Sequence, residues 1–203
     1  MAVMALKNIR NNGIRALNLD EGDELINVMG TTGEQNILLA TRDGQAICFA
    51  ETDVRAMGRQ ATGVKGITLR EGDVVVGAEV AQPDTYVLSI TENGYGKRTP
   101  MEEYLRGDDV QRRGGKGLRN HNITAKTGPV TAMKLVTDAN DVLSVSDDGT
   151  MIRMAAAGIS ITGRATQGVR VMRVAEGSKV ISVALTEHVE AEQTEAPEET
   201  TEE

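Results

Sequence analysis

The sequence of 203 residues predicts an all-β fold, built as an array of repeated four-stranded units. Glycine is abundant at 22 and proline scarce at 4, a pairing that favours many tight turns between strands over long helices. Asp-Gly and Asn-Gly pairs recur, and they are strong hairpin signals because both turn positions need positive φ. Three kinds of landmark also return in a fixed order every ~50 residues, a period typical of propeller-like or solenoid arrays.

The landmarks are a basic segment, an acidic turn and a hairpin turn. The basic landmark is a Gly, an apolar residue and a cation, at Gly13-Ile14-Arg15, Gly63-Val64-Lys65, Gly117-Leu118-Arg119 and Gly168-Val169-Arg170. The acidic turn follows it at Glu21-Gly22-Asp23, Glu71-Gly72-Asp73 and Glu176-Gly177-Ser178. The hairpin turn lies at Asp43-Gly44, Asn93-Gly94 and Asp148-Gly149. Their constant order indicates duplication and predicts units at about 9–57, 58–108, 109–158 and 159–185.

Each unit is predicted to contain the same four strands. An apolar strand follows the acidic turn, at 24–29, 74–80, 130–136 and 179–185. Two hairpin arms come next, at 37–41 with 45–49, 86–91 with 95–99, and 142–146 with 150–154. A short fourth strand accompanies the basic landmark, as at 14–19 or 67–69. The fourth unit holds only part of this set, so we expect a partial, open array over residues 1–185, whereas a β-sandwich or barrel would not require a repeat.

Several classes of protein are disfavoured by composition. The single cysteine, Cys48, lies between apolar residues, which predicts a buried, inert thiol, no internal disulfide framework and a reducing cytosol. His121 and His188 have no Cys or His near them in sequence, so no metal site is expected. No apolar run is long enough for a membrane span, and the N-terminus lacks the features of a signal peptide, so no membrane partner is expected.

The net charge of −8 is unevenly distributed. Residues 187–203 contain eight Glu and no Lys or Arg, so the rest of the chain is formally neutral. This composition predicts a disordered acidic tail over 186–203. A neutral body binds a polyanion only when its positive charge is segregated onto one face.

The richest basic stretch is the heptad QRRGGKG, which runs from Gln111 to Gly117. It combines three cations with three glycines, and glycine leaves backbone N–H groups uncovered where the chain turns sharply. Such a loop suits phosphate groups, although a solvated basic turn is the simpler interpretation of the heptad alone. Cations recur in the equivalent loops, which gives a candidate set of Arg55, Arg59, Lys65, Arg112, Arg113, Lys116, Arg119, Arg164 and Arg170.

If the units share one orientation, these loops line one rim and form a basic belt for bent duplex DNA. Binding should fall steeply with salt and should be indifferent to sequence except through bendability, because nothing here is placed to read base edges. Acidic residues just before the heptad could form salt bridges to its arginines; they are Glu102, Glu103, Asp108 and Asp109. The alternative is a neutral surface that binds a protein. No nucleophile–base pair or metal spacing favours an independent enzyme.

The heptad Gln111-Arg112-Arg113-Gly114-Gly115-Lys116-Gly117 resembles the seven-residue box in the C-terminal domain of the DNA gyrase A protein. Residues 18–26, 54–59, 63–67, 92–99 and 163–169 are similar to the same domain, in order, so the resemblance extends to about Leu185. It implies a six-bladed β-pinwheel, with strands exchanged between neighbouring blades, that wraps DNA around its basic rim. The parent enzyme uses ATP to introduce negative supercoils.

The resemblance also implies site residues and partners. DNA would contact the box, Arg55, Arg59, Lys65, Arg164 and Arg170, and the partners would be the remainder of gyrase A and the gyrase B protein. ATP and Mg²⁺ would belong to that complex in the bacterial cytoplasm, on the chromosome, with no cofactor or catalytic residue in this chain. Three tyrosines are interpreted as packing residues; they are Tyr86, Tyr95 and Tyr104.

Three further points concern how the chain relates to the family. The family's box usually lies in the first blade, whereas here it lies in the third repeat, so it is either a second copy or the blade order differs. The A protein of topoisomerase IV, whose C-terminal domain is similar but more degenerate, is the alternative assignment. The acidic tail resembles those that follow this domain in gyrases, and our hypothesis is that it competes with DNA for the rim.

Overall fold

The computed structural model describes residues 1–7, 9, 11–107 and 109–188, and the regular structure there consists of strands and short 3-10 segments. The strands are β1 (Asn36–Thr41), β2 (Gln45–Ala50), β3 (Val75–Val80), β4 (Tyr86–Thr91), β5 (Tyr95–Pro100), β6 (Leu118–Arg119), β7 (Val130–Val136), β8 (Asn140–Ser146), β9 (Met151–Ala155), β10 (Val169–Arg170) and β11 (Val180–Glu187). The 3-10 segments are Val3–Leu6, Glu51–Asp53, Met101–Tyr104 and Ala156–Gly158. No helix among these residues has the length and apolar character needed to cross a membrane.

The strands form three antiparallel sheets, each assembled from different repeats. Their orders are β3-β1-β2-β6, β7-β4-β5-β10 and β11-β8-β9, and we call them sheets 1, 2 and 3. Each sheet takes a hairpin from one repeat and an inner strand from the next. In sheets 1 and 2 a two-residue outer strand comes from the repeat after that. This exchange of strands confirms the predicted all-β pinwheel.

The hairpins form where the sequence predicts them. Their turns carry glycines with positive φ, at Gly44 (75°), Gly94 (74°) and Gly149 (84°), a backbone region that residues with a Cβ atom rarely adopt. Because side chains alternate along a strand, each hairpin presents apolar residues to both neighbours. The strand pairings confirm the predicted hairpins. The expectation of positive φ at both turn positions is wrong, because only the glycine of each pair has it.

The hydrophobic core is divided into layers between successive sheets. Leu38 and Ala40 of sheet 1 pack with Val87 and Met133 of sheet 2 on one face. The opposite face of sheet 1 forms its own cluster around Phe49, and a third cluster joins sheets 2 and 3. The inner strand β7 contacts both β3 and β11, so the three sheets approach one another along their inner strands and diverge from there.

Cys48 lies within the layer between sheets 1 and 2. It is fully buried, and burial raises the pKa of its thiol to about 11. The prediction of a buried, inert thiol is therefore confirmed.

Two predicted strand types are absent from the N-terminal part of the described chain. Residues 24–29 form no strand, and neither do 14–19 or 67–69. Strand β6 pairs with the hairpin two repeats earlier, and β10 does the same. The inner strands pair with the hairpin one repeat earlier. The described residues contain no hairpin at either offset for the two early basic landmarks or for 24–29. Asn18 and Thr68 of these segments donate their backbone N–H groups to loops of the next repeat instead of to a sheet, and apolar side chains such as Val28 are exposed.

The folded body extends slightly beyond the predicted boundary at Leu185. Strand β11 continues to Glu187, and Nδ1 of His188 lies 2.6 Å from Oδ1 of Asp141. The remainder of the predicted disordered tail, from Val189, lies outside the described residues.

Candidate nucleic-acid interface

The box loop and its copies occupy equivalent positions in successive repeats. Alignment on the basic landmarks places Arg113 of the box against Arg59 and Arg164, and it places Gly117 against Gly63 and Gly168. The box therefore has one counterpart in the repeat before it and one in the repeat after it. The three loops share an arginine and a glycine at fixed positions, so their contacts can be compared directly.

The box loop is fixed to the outer edge of sheet 1. Its first residue, Gln111, donates its backbone N–H to the carbonyl oxygen of Cys48 at 2.8 Å, and the loop then leads into β6. Gly117 has a φ of 73°, and a Cβ atom there would lie 2.4 Å from the carbonyl oxygen of Ala46. Gly168 repeats this geometry against Gly96 of sheet 2, at 2.5 Å. Only glycine permits so close an approach, so these two positions dock the basic landmarks on the sheets.

The equivalent arginines link consecutive repeats. Each donates from Nη1 to the carbonyl oxygen of the cation that ends the previous repeat's landmark. The pairs are Arg59 to Arg15 at 3.4 Å, Arg113 to Lys65 at 2.5 Å and Arg164 to Arg119 at 3.4 Å. A single type of contact, made three times, indicates that these arginines fix the spacing of neighbouring loops. We call them the linking arginines.

Backbone hydrogen bonds reinforce the same stacking of loops. The donor in each pair follows a basic landmark, and the acceptor lies in the box position of the next repeat. The pairs are Asn18 N–H to Ala61 O at 3.2 Å, Thr68 N–H to Gly115 O at 2.8 Å and Asn122 N–H to Thr166 O at 3.0 Å. Successive basic loops therefore lie side by side, in register, along one edge of the array. We call this edge the basic track.

Most cations of the track project into solvent. The exposed ones are Arg55, Arg59, Lys65, Arg112, Lys116, Arg119 and Arg170, whereas Arg113 and Arg164 are half-buried by their linking contacts. Within the described part of the chain, Arg164 alone among these nine forms an ion pair, with Glu103 at 3.9 Å. The positive charge of the track is therefore almost uncompensated.

The acidic residues before the box do not neutralise it. Glu103 of the second repeat instead reaches the fourth repeat, where its Oε2 accepts the backbone N–H of Arg164 at 3.1 Å. Asp109 accepts the neighbouring N–H of Val110 at 2.8 Å, and Glu102 is exposed without an ion pair to the box. Asp108 lies outside the described residues. The expected weakening of the box by these acids is thus not seen for Glu102, Glu103 and Asp109, because the exchange of strands directs Glu103 to a different loop.

The acidic turns lie on the other side of each hairpin. They precede the inner strands, which are at the opposite edge of the sheet from β6 and β10. Asp73 shows what holds them there: its Oδ1 accepts the backbone N–H of Asp43, in the hairpin turn, at 2.9 Å. Sheet 1 therefore separates the acidic turn 71–73 from the basic landmark 117–119.

Gln111 differs from the rest of the predicted set because it is buried. Its side chain is only 6% exposed, and Nε2 has no hydrogen-bond partner among the described atoms. It lines an open pocket of about 530 Å³ together with Asp109, Arg112, Lys116 and Arg106. An amide donor left unpaired in a buried position is costly unless a ligand or water accepts from it. The pocket thus joins an amide donor to three cations and the carboxylate of Asp109.

Two cations near the track were missed by sequence reasoning. Arg106 lines the box pocket and had no repeat pattern to mark it. Lys126 lies with its Nζ 5.3 Å from the ring centre of Tyr95, and Arg170 donates to the hydroxyl of Tyr95 at 2.9 Å. A signal for Lys126 existed, because the third repeat has Ala125-Lys126-Thr127 where the second has the acidic turn Glu71-Gly72-Asp73. Loss of an acidic landmark beside a basic one adds positive charge locally.

Lys97 of sheet 2 holds the box-equivalent loop of the fourth repeat through hydrogen bonds. It is fully buried, and its Nζ donates to the carbonyl oxygens of Gly163, at 2.8 Å, and Arg164. Burial lowers the pKa of Lys97 to about 8. Its counterpart beneath the box is the apolar Ile47, so the two loops have different supports.

His121 supports the same loop. Its Nδ1 lies 3.0 Å from the hydroxyl oxygen of Ser89, and its Nε2 lies 3.0 Å from the carbonyl oxygen of Gln167. Burial, and secondarily Lys97, lowers the pKa of His121 to about 4. The neutral ring therefore donates from Nε2 to Gln167 and accepts at Nδ1 from Ser89. The described residues contain no cluster of His, Cys, Asp and Glu suited to a metal ion.

The three tyrosines occupy packing positions, as predicted. Tyr104 is fully buried and donates its hydroxyl to Oδ1 of Asn120. Tyr95 is 5% exposed, and Tyr86 packs against the cluster between sheets 2 and 3. The buried Tyr95 and Tyr104 and the half-buried Tyr86 thus fit the predicted packing role.

The fold and the site together define a β-pinwheel array whose outer edge carries an uncompensated basic track. The model of the family described as "DNA gyrase C-terminal domain, beta-propeller" matches residues 5–31, 35–82, 85–136 and 140–187. The chain therefore belongs to the DNA gyrase C-terminal domain family. The four matched segments end at the inner strands, whereas our unit boundaries follow the basic landmarks, so the two divisions cut the same repeat at different points.

Gyrase A proteins of staphylococci are among the similar proteins. The chain is 46% identical to the A protein of DNA gyrase from Staphylococcus epidermidis over 178 residues, which cover 87% of this chain and 20% of that protein. It is 45% identical to the A protein of DNA gyrase from Staphylococcus aureus over 185 residues, covering 90% and 20% respectively. The chain thus spans about a fifth of the length of these relatives.

Two solved structures show the same architecture. The C-terminal domain of a DNA topoisomerase IV superimposes with a TM-score of 0.83 at 24% identity, over 90% of this chain and 56% of that one. The DNA gyrase A C-terminal domain superimposes with a TM-score of 0.74 at 27% identity, over 85% and 57%. The first likeness concerns the fold alone, and the second agrees with the family assignment.

Proposed function

We propose that this chain binds and wraps duplex DNA along the basic track. The observation that carries the proposal is the repeated link from Arg59, Arg113 and Arg164 to the preceding loop. It holds equivalent cationic loops side by side, and a row of almost uncompensated cations attracts the phosphates of a duplex. A protein-binding surface would need no such row, because charged residues are depleted at the core of protein interfaces.

The residues divide into two roles in this proposal. The exposed cations bind phosphates; they are Arg55, Arg59, Lys65, Arg112, Lys116, Arg119 and Arg170. Arg113 and Arg164 mainly fix the spacing of the loops, because a guanidinium committed to a backbone carbonyl has fewer donors left for DNA. Gln111, with Gly114, Gly115 and Gly117, shapes the pocket, and its amide donates to a phosphate oxygen held by Arg112 and Lys116.

The contacts are with the DNA backbone. No helix of the described chain is long enough to enter a groove, and arginine and lysine on short loops contact phosphates without reading base edges. Binding should therefore be indifferent to sequence, apart from the ease with which a segment bends. The curvature of a duplex around the track follows from sheets that diverge from their inner strands.

At the level of the whole protein, we infer a role in ATP-dependent negative supercoiling by DNA gyrase. In that role the partners are duplex DNA, the remainder of gyrase A and the gyrase B protein, on the chromosome in the bacterial cytoplasm. ATP and Mg²⁺ serve the other parts of the complex, and this chain contributes neither a nucleophile nor a cofactor site. The staphylococcal relatives are gyrase A proteins, which favours this assignment over topoisomerase IV.

The test measures affinity for a mixed-sequence duplex as a function of salt. Replacing Arg112 and Lys116 by Gln should make the slope of log K against log salt shallower by about 2, since each phosphate contact contributes about 0.9. Arg70→Gln with Lys179→Gln is the matched control, because these exposed cations flank the acidic turns. If the Arg112/Lys116 variant and the Arg70/Lys179 variant had equal slopes of log K against log salt, the proposal would be overturned.

A second measurement separates wrapping from simple binding. When a nicked circular DNA is sealed in the presence of a protein that wraps it, the linking number of the product shifts. We expect a shift for the native chain and a smaller one for Arg113→Met, which leaves the exposed cations in place but removes a link between loops. Binding without a shift would restrict the chain to a backbone-binding module.

A further inference from the structure

The tip of sheet 2 differs in charge from the tip of sheet 1. By the tip of a sheet we mean its hairpin turn together with the turn that precedes its inner strand. Sheets 1 and 2 both have four strands, so their tips can be compared directly. At the tip of sheet 1, the acidic turn 71–73 is joined to Asp43, whose backbone N–H donates to Oδ1 of Asp73 at 2.9 Å. At the tip of sheet 2 the equivalent turn is 125–127, which contains Lys126, and the hairpin turn has Asn93 in place of an aspartate.

Asn93 fixes the backbone of the turn that carries the lysine. Its Nδ2 donates to the carbonyl oxygens of Ala125 at 3.4 Å and Lys126 at 3.0 Å, and its backbone N–H donates to that of Thr127 at 3.2 Å. An ionised aspartate has no side-chain donor, so it could not form the first two bonds. The asparagine thus holds Lys126 on the tip without placing a carboxylate beside it.

Tyr95 brings Lys126 together with a cation of the basic track. The Nζ atom of Lys126 lies 5.3 Å from the centre of the tyrosine ring, and the guanidinium carbon of Arg170 lies 5.4 Å from it. Arg170 also donates to the tyrosine hydroxyl at 2.9 Å. Tyr95 is only 5% exposed, whereas both cations are exposed, which indicates that their side chains cover the ring while the charged groups face water.

Within the described part of the chain, no carboxylate pairs with these two charges. Neither Lys126 nor Arg170 forms an ion pair there. Glu92, the acidic residue of the hairpin turn, instead pairs with Arg42 of sheet 1 at 2.9 Å. The ring of Tyr95 attracts the cations but carries no net charge. Two like charges held against one ring repel each other, and an anion shared between them removes that repulsion.

We propose that Lys126 and Arg170, held against Tyr95, form a second phosphate-binding site, which contacts the duplex at the tip of sheet 2. We call it the tip site, and it rests on the proposed binding of DNA along the basic track. Arg170 belongs to both, because β10 lies at the outer edge of the sheet whereas residues 125–127 precede the inner strand β7. A DNA backbone that passes the outer edge at Arg170 therefore meets Lys126 on the tip, and the duplex is contacted from two sides.

The equivalent position in sheet 1 has the opposite charge. Arg119 pairs there with Gln45, as Arg170 pairs with Tyr95 in sheet 2, so the aromatic ring is missing. The acidic turn 71–73 occupies the place of the lysine turn and repels a phosphate backbone. We therefore expect the duplex to follow the outer edge at sheet 1 and to shift towards the tip at sheet 2. The tip site thus inclines the path of the duplex across the array.

The test compares two lysines, each at the tip of a sheet. Lys126→Gln removes a proposed phosphate contact, whereas the control, Lys179→Gln, removes an exposed lysine whose backbone N–H donates to Asp147 at the tip of sheet 3. The affinity of the full chain for a mixed-sequence duplex is measured as a function of salt. Lys126→Gln should bind several-fold more weakly at low salt, and its slope of log K against log salt should be shallower by about 0.9. Lys179→Gln should keep the native slope.

The Arg112/Lys116 double variant, measured in the same series, keeps the two proposals distinct. If it makes the slope shallower while Lys126→Gln and Lys179→Gln behave alike, the basic track binds DNA and the tip site is overturned. If none of the three variants changes the slope, the proposed function fails together with the tip site.

Proximity to DNA provides a second measurement. In a full-length Cys48→Ser background, Lys126→Cys or Lys179→Cys carries an iron chelate that cleaves nearby DNA on addition of ascorbate and peroxide. The two proteins lose the same charge, so they differ only in the position of the chelate. Several-fold stronger cleavage of the duplex from position 126 supports the tip site, and equal cleavage from the two positions contradicts it.

Discussion

The ammonium of Lys97 donates a hydrogen bond to the carbonyl oxygen of Gly163, 2.8 Å away, from a side chain that is fully buried. The contact joins the hairpin of sheet 2 to the box-equivalent loop of the fourth repeat. Burial of a charge is unfavourable, and here carbonyl groups, rather than a carboxylate in direct contact, receive its hydrogen bonds. The position of this loop in the basic track therefore depends on a group whose charge is sensitive to pH.

We expect Lys97 to make the protein more stable as the pH rises above 8. Its folded pKa of about 8 is below the ordinary 10.5, so the folded state binds fewer protons between these values and unfolding takes protons up. Across that window the native chain should gain about 3 kcal/mol relative to Lys97→Met, at about 1.4 kcal/mol for each unit of pKa. Urea unfolding at several pH values checks this. If the free energy of unfolding changed with pH by the same amount in the native chain and in Lys97→Met, the expectation would be contradicted.

His121 should act at the acidic end of the range. Its folded pKa of about 4 is below the ordinary 6.5, so the stabilisation is present above pH 6.5 and is lost as the pH falls towards 4. His121→Met is the informative change, because Met172 fills the equivalent position in the next repeat and is also buried. On acidification, the free energy of unfolding of the variant should fall by about 3 kcal/mol less than that of the native chain. Equal losses in thermal unfolding between pH 7 and pH 4 would argue against a buried neutral ring.

The repeated landmarks allowed much of this fold to be predicted, since turn glycines and apolar runs are local signals. Strands 86–91 and 130–136 were predicted with the bounds that the structure shows. Residue patterns did not indicate the pairing partners, because the choice of hairpin two repeats earlier depends on how repeats pack. Inner strands pair with the hairpin one repeat earlier, and the described residues contain no such hairpin for 24–29, which form no strand although their pattern resembles that of β7.

The site was predictable to a similar degree. The cations of the loops could be identified from their recurrence, but the role of Arg113 as a link to Lys65 could not, because a carbonyl acceptor has no sequence signature. The same limit applies to Glu103, which reaches Arg164 two repeats later instead of the nearby box. Sequence proximity suggested the wrong partner because exchanged strands bring distant loops together.

Gly117 should tolerate substitution less well than Gly63. Alanine at Gly63 meets only the backbone penalty of positive φ, about 1–2 kcal/mol, since nothing lies within 4 Å of its Cβ position. Alanine at Gly117 meets the same penalty and a contact of 2.4 Å with the carbonyl oxygen of Ala46, so strand β6 must shift. We expect Gly117→Ala to lose several-fold more DNA affinity and more stability than Gly63→Ala. If the two variants lost similar amounts of unfolding free energy and of duplex affinity, the close approach of Gly117 to Ala46 would not be essential.

Removal of the acidic tail should strengthen DNA binding at low salt. Residues 189–203 carry seven Glu and no cation, and a segment of this charge competes with phosphates for the basic track. The truncation should begin at Val189 because Glu187 belongs to β11 and His188 contacts Asp141. A full-length chain with all seven Glu replaced by Gln separates charge from length. Both proteins should bind a duplex more tightly than the native chain, with the difference disappearing as salt screens the charges. If the truncated chain alone gained affinity, occlusion by the tail rather than its charge would be responsible, and unchanged affinity in both would remove the competition hypothesis.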